Sequence, residues 1–265
     1  MRLGCLPYLN VKPLVYTFEH HEVGPGNPSP ARGVELVYAP PSTLADMLRA
    51  GEIAAAPVSS FACFENPELE ICPGLCIAAR GPVKSVLMLS KKPSPNIDTL
   101  ALDAGSLSGA SMLRIILREL YNTDPRIVRM APEPVETMLE SSDAALVIGN
   151  PAMLCDKKGL YVLDVAEEWV RLTDLPAVFA VWAGRSMTPE LARTLQEAKR
   201  DGMAHIPDIA REESIKLGLS YEACFDYLSR VMVYDMGKAE TAGLNEFRRR
   251  SIAHGLISPT GAVKR

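Results

Sequence analysis

The sequence predicts an α/β fold of layered strands and helices. Short apolar runs alternate with segments of helical period through most of the 265 residues. The runs end at Gly, Pro, Asn and Ser, which punctuate elements rather than extend them. The length exceeds what one compact core usually needs, so either one large α/β unit or two lobes is expected.

Residues 2–9 read as the first strand and run straight into Asn10. Pro13 follows, where the first turn of a helix tolerates a missing N–H. Residues 34–38 form the next strand, and 42–49 a helix capped at Ser42 and stopped by Gly51. A buried strand over 53–58 ends at Ser59 and Ser60. This β-α-β-α-β beginning brings several strand ends toward one place, and the carboxyl ends of such strands are where open α/β sheets bind ligands.

Residues 83–89 give a further strand, and 91–95 a proline-containing loop. A strand at 99–103 leads into the Ser/Gly turn at 105–109. The helix over 111–121 then carries Met112, Leu113, Ile116, Leu117 and Leu120 at helical spacing. A strand at 127–130, a short helix at 134–140 and a strand at 144–148 complete a smaller unit. Residues 178–183 form one more strong strand. Beyond it the chain is mostly helix, at 188–204, 206–217, 220–231 and 238–254. Residues 24–30 read as a surface loop and 258–265 as a frayed tail.

Hydrophobic residues make up 48% of the chain and charged residues 23%, the balance of a globular protein. The net charge of -4 provides no broad positive field, which argues against nucleic acid and anionic membranes as partners. A small anionic ligand needs only a few local donors. No apolar run is long enough to span a bilayer and no signal peptide opens the chain, so a cytoplasmic location is expected. The six cysteines, at 5, 63, 72, 76, 155 and 224, form no CxxC pair, and the four histidines are scattered. Neither a metal site nor His base catalysis is expected.

The turn at 103–111 places Gly105, Ser106, Ser108, Gly109 and Ser111 ahead of an apolar helix. Free N–H groups at a helix start favour a carboxylate or phosphate, although plain capping by Ser106 or Ser108 is the commoner role of such residues. Ser59 and Ser60 end one strand, and Gly149 and Asn150, followed by a proline, end another. Both pairs suit ligand contact or simple turn formation. No GxGxxG or Walker pattern supports nucleotide binding.

Pro-Tyr-Leu-Asn ending at Asn10, Ala54 to Ser60, Pro73 to Ile77, Gly-Pro-Val-Lys-Ser-Val containing Ser85, and residues 178–183 occur in a familiar order. The chain resembles the chorismate dehydratase family of the futalosine route to menaquinone, from the first strand to about Ile257. The resemblance implies a two-lobed fold like that of type II periplasmic binding proteins, with the ligand closed between lobes. Residues 1–84 would form the first segment of lobe I and 85–178 lobe II. Residues 179–265 would return to lobe I with the C-terminal helices.

It further implies dehydration of chorismate to 3-[(1-carboxyvinyl)oxy]benzoate without cofactor, with Asn10 and Ser85 as catalytic positions. Ser59, Ser60, Gly105, Ser106, Ser108, Ser111, Gly149 and Asn150 would bind substrate. The family pattern has Asp where this chain has Asn150, so an amide stands in place of a carboxylate. A non-catalytic binding protein of the same fold, and the sister enzyme that makes 1,4-dihydroxy-6-naphthoate, are the alternatives. The partner is a small-molecule substrate, and the sequence leaves the oligomeric state open.

Overall fold

The computed structural model describes residues 1–20, 33–39, 41–103 and 105–259; the loop expected at 24–30 and the end of the tail at 260–265 lie outside them. In chain order the elements begin β1 (Arg2–Cys5), α1 (Lys12–His20), β2 (Glu35–Tyr38), α2 (Pro41–Ala50), β3 (Ala56–Ser59), α3 (Ser60–Glu65), β4 (Glu70–Ala79) and β5 (Val86–Ser90). They continue with β6 (Thr99–Asp103), α4 (Ser108–Tyr121), β7 (Arg126–Met130), α5 (Val135–Glu140), β8 (Ala144–Ile148), α6 (Asn150–Leu154), β9 (Tyr161–Asp164) and α7 (Val165–Thr173). The last are β10 (Ala177–Gly184), α8 (Pro189–Ala204), α9 (Ile206–Leu217), α10 (Tyr221–Asp226), β11 (Met232–Asp235) and α11 (Lys238–Ala253). The chain divides into two compact units, one drawn from residues 1–59, 66–77 and 180–237, the other from 60–65, 78–179 and 238 onward.

In the first unit β1 pairs with β2 in parallel, from Arg2 opposite Glu35 to Cys5 opposite Tyr38. The other strands run in the order β11-β4-β10-β3. A Cβ at Gly4 would lie 2.8 Å from Ala56 Cβ, Ile53 Cδ1 and Leu44 Cδ2, so glycine is what lets β1 sit close to its neighbours. Helices α1 and α8 meet with similar closeness, since a Cβ at Gly202 would lie 1.9 Å from the Pro13 carbonyl oxygen. Leu14, Leu44, Leu48, Trp182, Tyr227 and Tyr234 are among the wholly buried side chains of this unit. No helix among the described residues is long and apolar enough to cross a membrane.

The second unit is built on a sheet of order β7-β6-β8-β5-β9. Strand β6 runs parallel to β7 and β8, and β5 runs antiparallel to β8 and β9. One face buries Leu87, Leu89, Ala101, Val135, Met138, Leu139, Ala145 and Val147 together. Helix α4 buries Met112, Leu113, Ile116 and Leu117, as their spacing requires.

The destination of the last helix differs from the sequence expectation, which returned everything from 179 onward to the first unit. Helix α11 belongs to the second. Its Phe247 is fully buried with ring centroids 6.1 Å from Phe61, 5.3 Å from Phe64 and 5.5 Å from Trp169. Gly243 admits the Pro176 carbonyl, which would lie 2.3 Å from a Cβ there. Glu240, 0% exposed, accepts from Arg80 Nε at 2.8 Å. An amphipathic pattern shows that a helix has a face to bury but not which core receives it. Strand β4 was also not expected, because Pro73 and left-handed Gly74 (φ 79°) punctuate it.

Candidate active site

Strand β1 ends at Cys5, and residues Leu9–Val11 then make one 3-10 turn before α1. The Val11 N–H donates to the Tyr8 carbonyl at 3.1 Å, and buried Leu9 and Val11 anchor the turn on either side of Asn10. The Asn10 Oδ1 atom is buried and has no hydrogen-bond partner among the described residues. Native folds rarely leave such an acceptor unpaired, because its lost hydration costs about 1–3 kcal/mol. Pro13 occupies the second position of α1, as the sequence suggested.

At the ends of β1 and β2, Tyr38 faces Cys5 in register. The Tyr38 hydroxyl donates to Glu19, which also accepts from Lys12 Nζ at 2.8 Å. Burial, partly offset by the hydrogen bond with Tyr38, pushes the Cys5 thiol up to about 12, so it stays neutral. Ser59 closes β3 opposite Ala180.

In the second unit the structure brings Ser85, Gly149, Asn150 and the start of α4 to one end of the paired strands β5 and β8. Antiparallel pairing sets Val86 opposite Ile148, and the Gly149 N–H donates to the Ser85 carbonyl at 2.7 Å. A Cβ at Gly109 would lie 2.9 Å from Val86 Cγ1 and 3.8 Å from Ile148 Cγ2, so this glycine seats the first turn of α4 on the same strand ends. Gly149 has φ 66° and ψ -146°, a conformation open in practice to glycine alone, and Asn150 then opens α6. Ser85 is 1% exposed, and Ser106, Ser108 and Ser111 are also buried.

The turn before α4 is organised by Asp103, whose Oδ1 accepts from Gly105 N–H at 2.8 Å and whose carbonyl accepts from Ser106 N–H at 3.0 Å. Leu107 is the capping residue of α4, and its side chain makes no capping hydrogen bond. The Ser108 Oγ accepts from the Phe61 N–H at 3.1 Å and lies 3.0 Å from Ser60 Oγ. Ser60 in turn donates to the Val178 carbonyl at 2.6 Å. These two hydroxyls tie α3, α4 and the start of β10 together. Among the described residues no group of three or more His, Cys, Asp or Glu side chains could hold a metal ion.

A family model described as menaquinone biosynthesis matches residues 1–253. The chain belongs to that family. A chorismate dehydratase from Thermus thermophilus is 29% identical, the similarity covering 92% of this chain and 93% of its own length. Among solved structures, protein AF1704 from Archaeoglobus fulgidus matches with a TM-score of 0.77 and 20% identity, over 97% of this chain and 98% of that one. The periplasmic aliphatic sulphonate binding protein SsuA from Escherichia coli matches with a TM-score of 0.63 and 14% identity, over 100% and 92%. These two likenesses show the fold, which is that of periplasmic binding proteins.

In this menaquinone biosynthesis family member the sequence reading passed over Asp164 and Lys84. Asp164 caps α7, its side chain accepting from the Ala166 and Glu167 N–H groups. The Asp-x-x-Glu spacing from Asp164 to Glu167 is a legible cap signature. Lys84 has φ 63° and carries no such local signal.

Proposed function

We propose that this protein dehydrates chorismate to 3-[(1-carboxyvinyl)oxy]benzoate in menaquinone biosynthesis. The observation that carries the reading is the near full-length similarity to the Thermus thermophilus chorismate dehydratase, within a family match over residues 1–253. The reaction removes the ring hydroxyl together with the hydrogen on the carbon that bears the enolpyruvyl ether. Aromatisation supplies much of the driving force, so the chemistry calls for no redox cofactor. A cytoplasmic location belongs to the same reading, since a biosynthetic step works where its substrate is made.

The protein's tasks are to hold a dianion, orient its ring and ease the departure of a poor leaving group. The first turn of α4, with the Ser106 and Ser111 hydroxyls, and the Gly149–Asn150 turn are suited to a carboxylate, while the Gly105 N–H is already taken by Asp103. Ser59 contributes from the end of β3. Ser60 and Ser108 act by holding α3 and α4 in place, given the hydrogen bonds their hydroxyls already make. The reaction itself is assigned to Asn10 and Ser85 as hydrogen-bonding groups. Preorganised neutral donors and acceptors of this kind stabilise developing charge without reorganising.

The substrate's own enolpyruvyl carboxylate takes the ring proton in this mechanism. Asn10 fixes the enolpyruvyl side chain, and Ser85 donates to the departing oxygen. An analogue with that carboxylate replaced by an amide should be turned over poorly, and undiminished turnover would refute substrate-assisted proton removal. Ultraviolet and mass measurements on purified protein with chorismate test the activity itself. Loss of one water with formation of a substituted benzoate is the expected result, whereas unchanged chorismate would leave a binding protein.

A further inference from the structure

We propose that Asp164 is a positioning residue for Ser85, acting through the backbone of Val83 and Lys84; the inference rests on the reading that Ser85 takes part in the dehydration. Asp164 ends β9 and lies opposite Leu87 of β5 in the antiparallel register, so its backbone is fixed by the sheet. It is 8% exposed. Its Oδ1 accepts from Ala166 N–H at 3.0 Å and Glu167 N–H at 3.2 Å, the two bonds that cap α7. A helix cap needs nothing more. Yet Oδ1 also accepts from Val83 N–H at 3.0 Å, and Oδ2 accepts from Lys84 N–H at 2.7 Å. The buried charge is thus met by backbone dipoles from two segments.

The second pair of bonds holds an unusual piece of backbone. Lys84 is exposed and has φ 63°, a left-handed conformation that residues other than glycine adopt only where their surroundings impose it. Here Asp164 Oδ2 imposes it on the Lys84 N–H directly. The chain bends at Lys84 and Ser85, and the Gly149 N–H takes hold of the buried Ser85 by its carbonyl at 2.7 Å. Ser85 is therefore gripped from both sides, by Asp164 on the residues before it and by Gly149 on its own carbonyl. The Val83 and Lys84 bonds span 81 and 80 residues of chain, so they do not belong to the local folding of α7.

The test separates capping from positioning. Asp164→Ser keeps a short oxygen able to cap α7 but too short to reach Val83 and Lys84 as well. With chorismate as substrate, Asp164→Ser should lower kcat by about 10²-fold with KM little changed, the scale of a misplaced reacting group. In a Ser85→Ala background the same substitution should lower kcat no further, because the group it positions is gone. Normal turnover of Asp164→Ser beside a crippled Ser85→Ala would show that Asp164 is only a cap, and losses that multiply in the double variant would show that it acts apart from Ser85. Either result overturns the proposal. Full turnover of Ser85→Ala would instead refute the role of Ser85 itself, and the positioning claim with it. If Asp164→Ser does not fold, Asp164→Asn keeps the shape while setting an NH₂ group against one set of N–H donors, and the same kinetic pattern is expected of it.

Discussion

Asn10→Ala is predicted to damage activity while sparing, or slightly raising, the stability of the free protein. The reasoning begins from the Asn10 Oδ1 atom, which is buried without a hydrogen-bond partner among the described residues. An orphaned acceptor of this kind costs about 1–3 kcal/mol, and because Asn10 itself is only partly buried the lower end of that range applies. Truncation to alanine deletes the orphan together with the few van der Waals contacts of the amide. The net change in stability should then lie between zero and about 1 kcal/mol in favour of the variant, a shift in Tm of no more than about 2–4 °C upward. Turnover should fall about 10²–10³-fold, since a preorganised polar group that acts in the transition state is lost. Thermal unfolding of the ligand-free protein and steady-state dehydration of chorismate read the two effects separately. A variant that turns over normally and unfolds several degrees lower would show that Asn10 is a turn residue, and would refute the argument that its unpaired oxygen is kept for the substrate.

Gly149→Ala should destabilise the second unit by about 1–3 kcal/mol and reduce turnover, because φ 66° with ψ -146° is closed to a residue with a Cβ; a normal denaturation midpoint would contradict this. Phe247→Ala should cost about 3–5 kcal/mol in chemical denaturation, as it empties the contact with Phe61, Phe64 and Trp169; a loss below about 1 kcal/mol would mean that α11 is not seated there. Asp143 accepts from Lys92 at 2.9 Å and from the Asp98 and Thr99 N–H groups at 2.9 and 3.2 Å, and chiefly the Lys92 hydrogen bond holds its carboxyl down to about 2. A pKa lowered on folding from about 3.9 contributes stability above that value and loses it as the pH falls toward 2. Asp143→Asn should therefore flatten the acid side of the stability curve between about pH 4 and 2, and an unchanged acid limb would show that the contact is immaterial.

Much of the architecture is set by residues that are neighbours in the chain. Strands β6 and β8 fall on the apolar runs at 99–103 and 144–148, and α8 starts at Pro189 after a Thr188 cap whose Oγ accepts from the Leu191 N–H at 3.2 Å. The placement of Asn10 between a strand and a helix with proline in its first turn, and the need for glycine at 149, are local in the same way. Tertiary structure decided which core takes α11, whose apolar stripe suits any partner until Phe247 finds Phe61, Phe64 and Trp169. It decided that Ser60 and Ser108 bond to each other's segments, a contact that no local pattern announces. It also decided that Asp164 does more than cap α7, since its grip on Val83 and Lys84 exists only once β9 has paired with β5. Element type follows from side-chain period and turn chemistry within a few residues, which any single chain displays. The partner of a buried polar group is chosen by contacts that form across 80 residues of chain, and no local pattern records that choice.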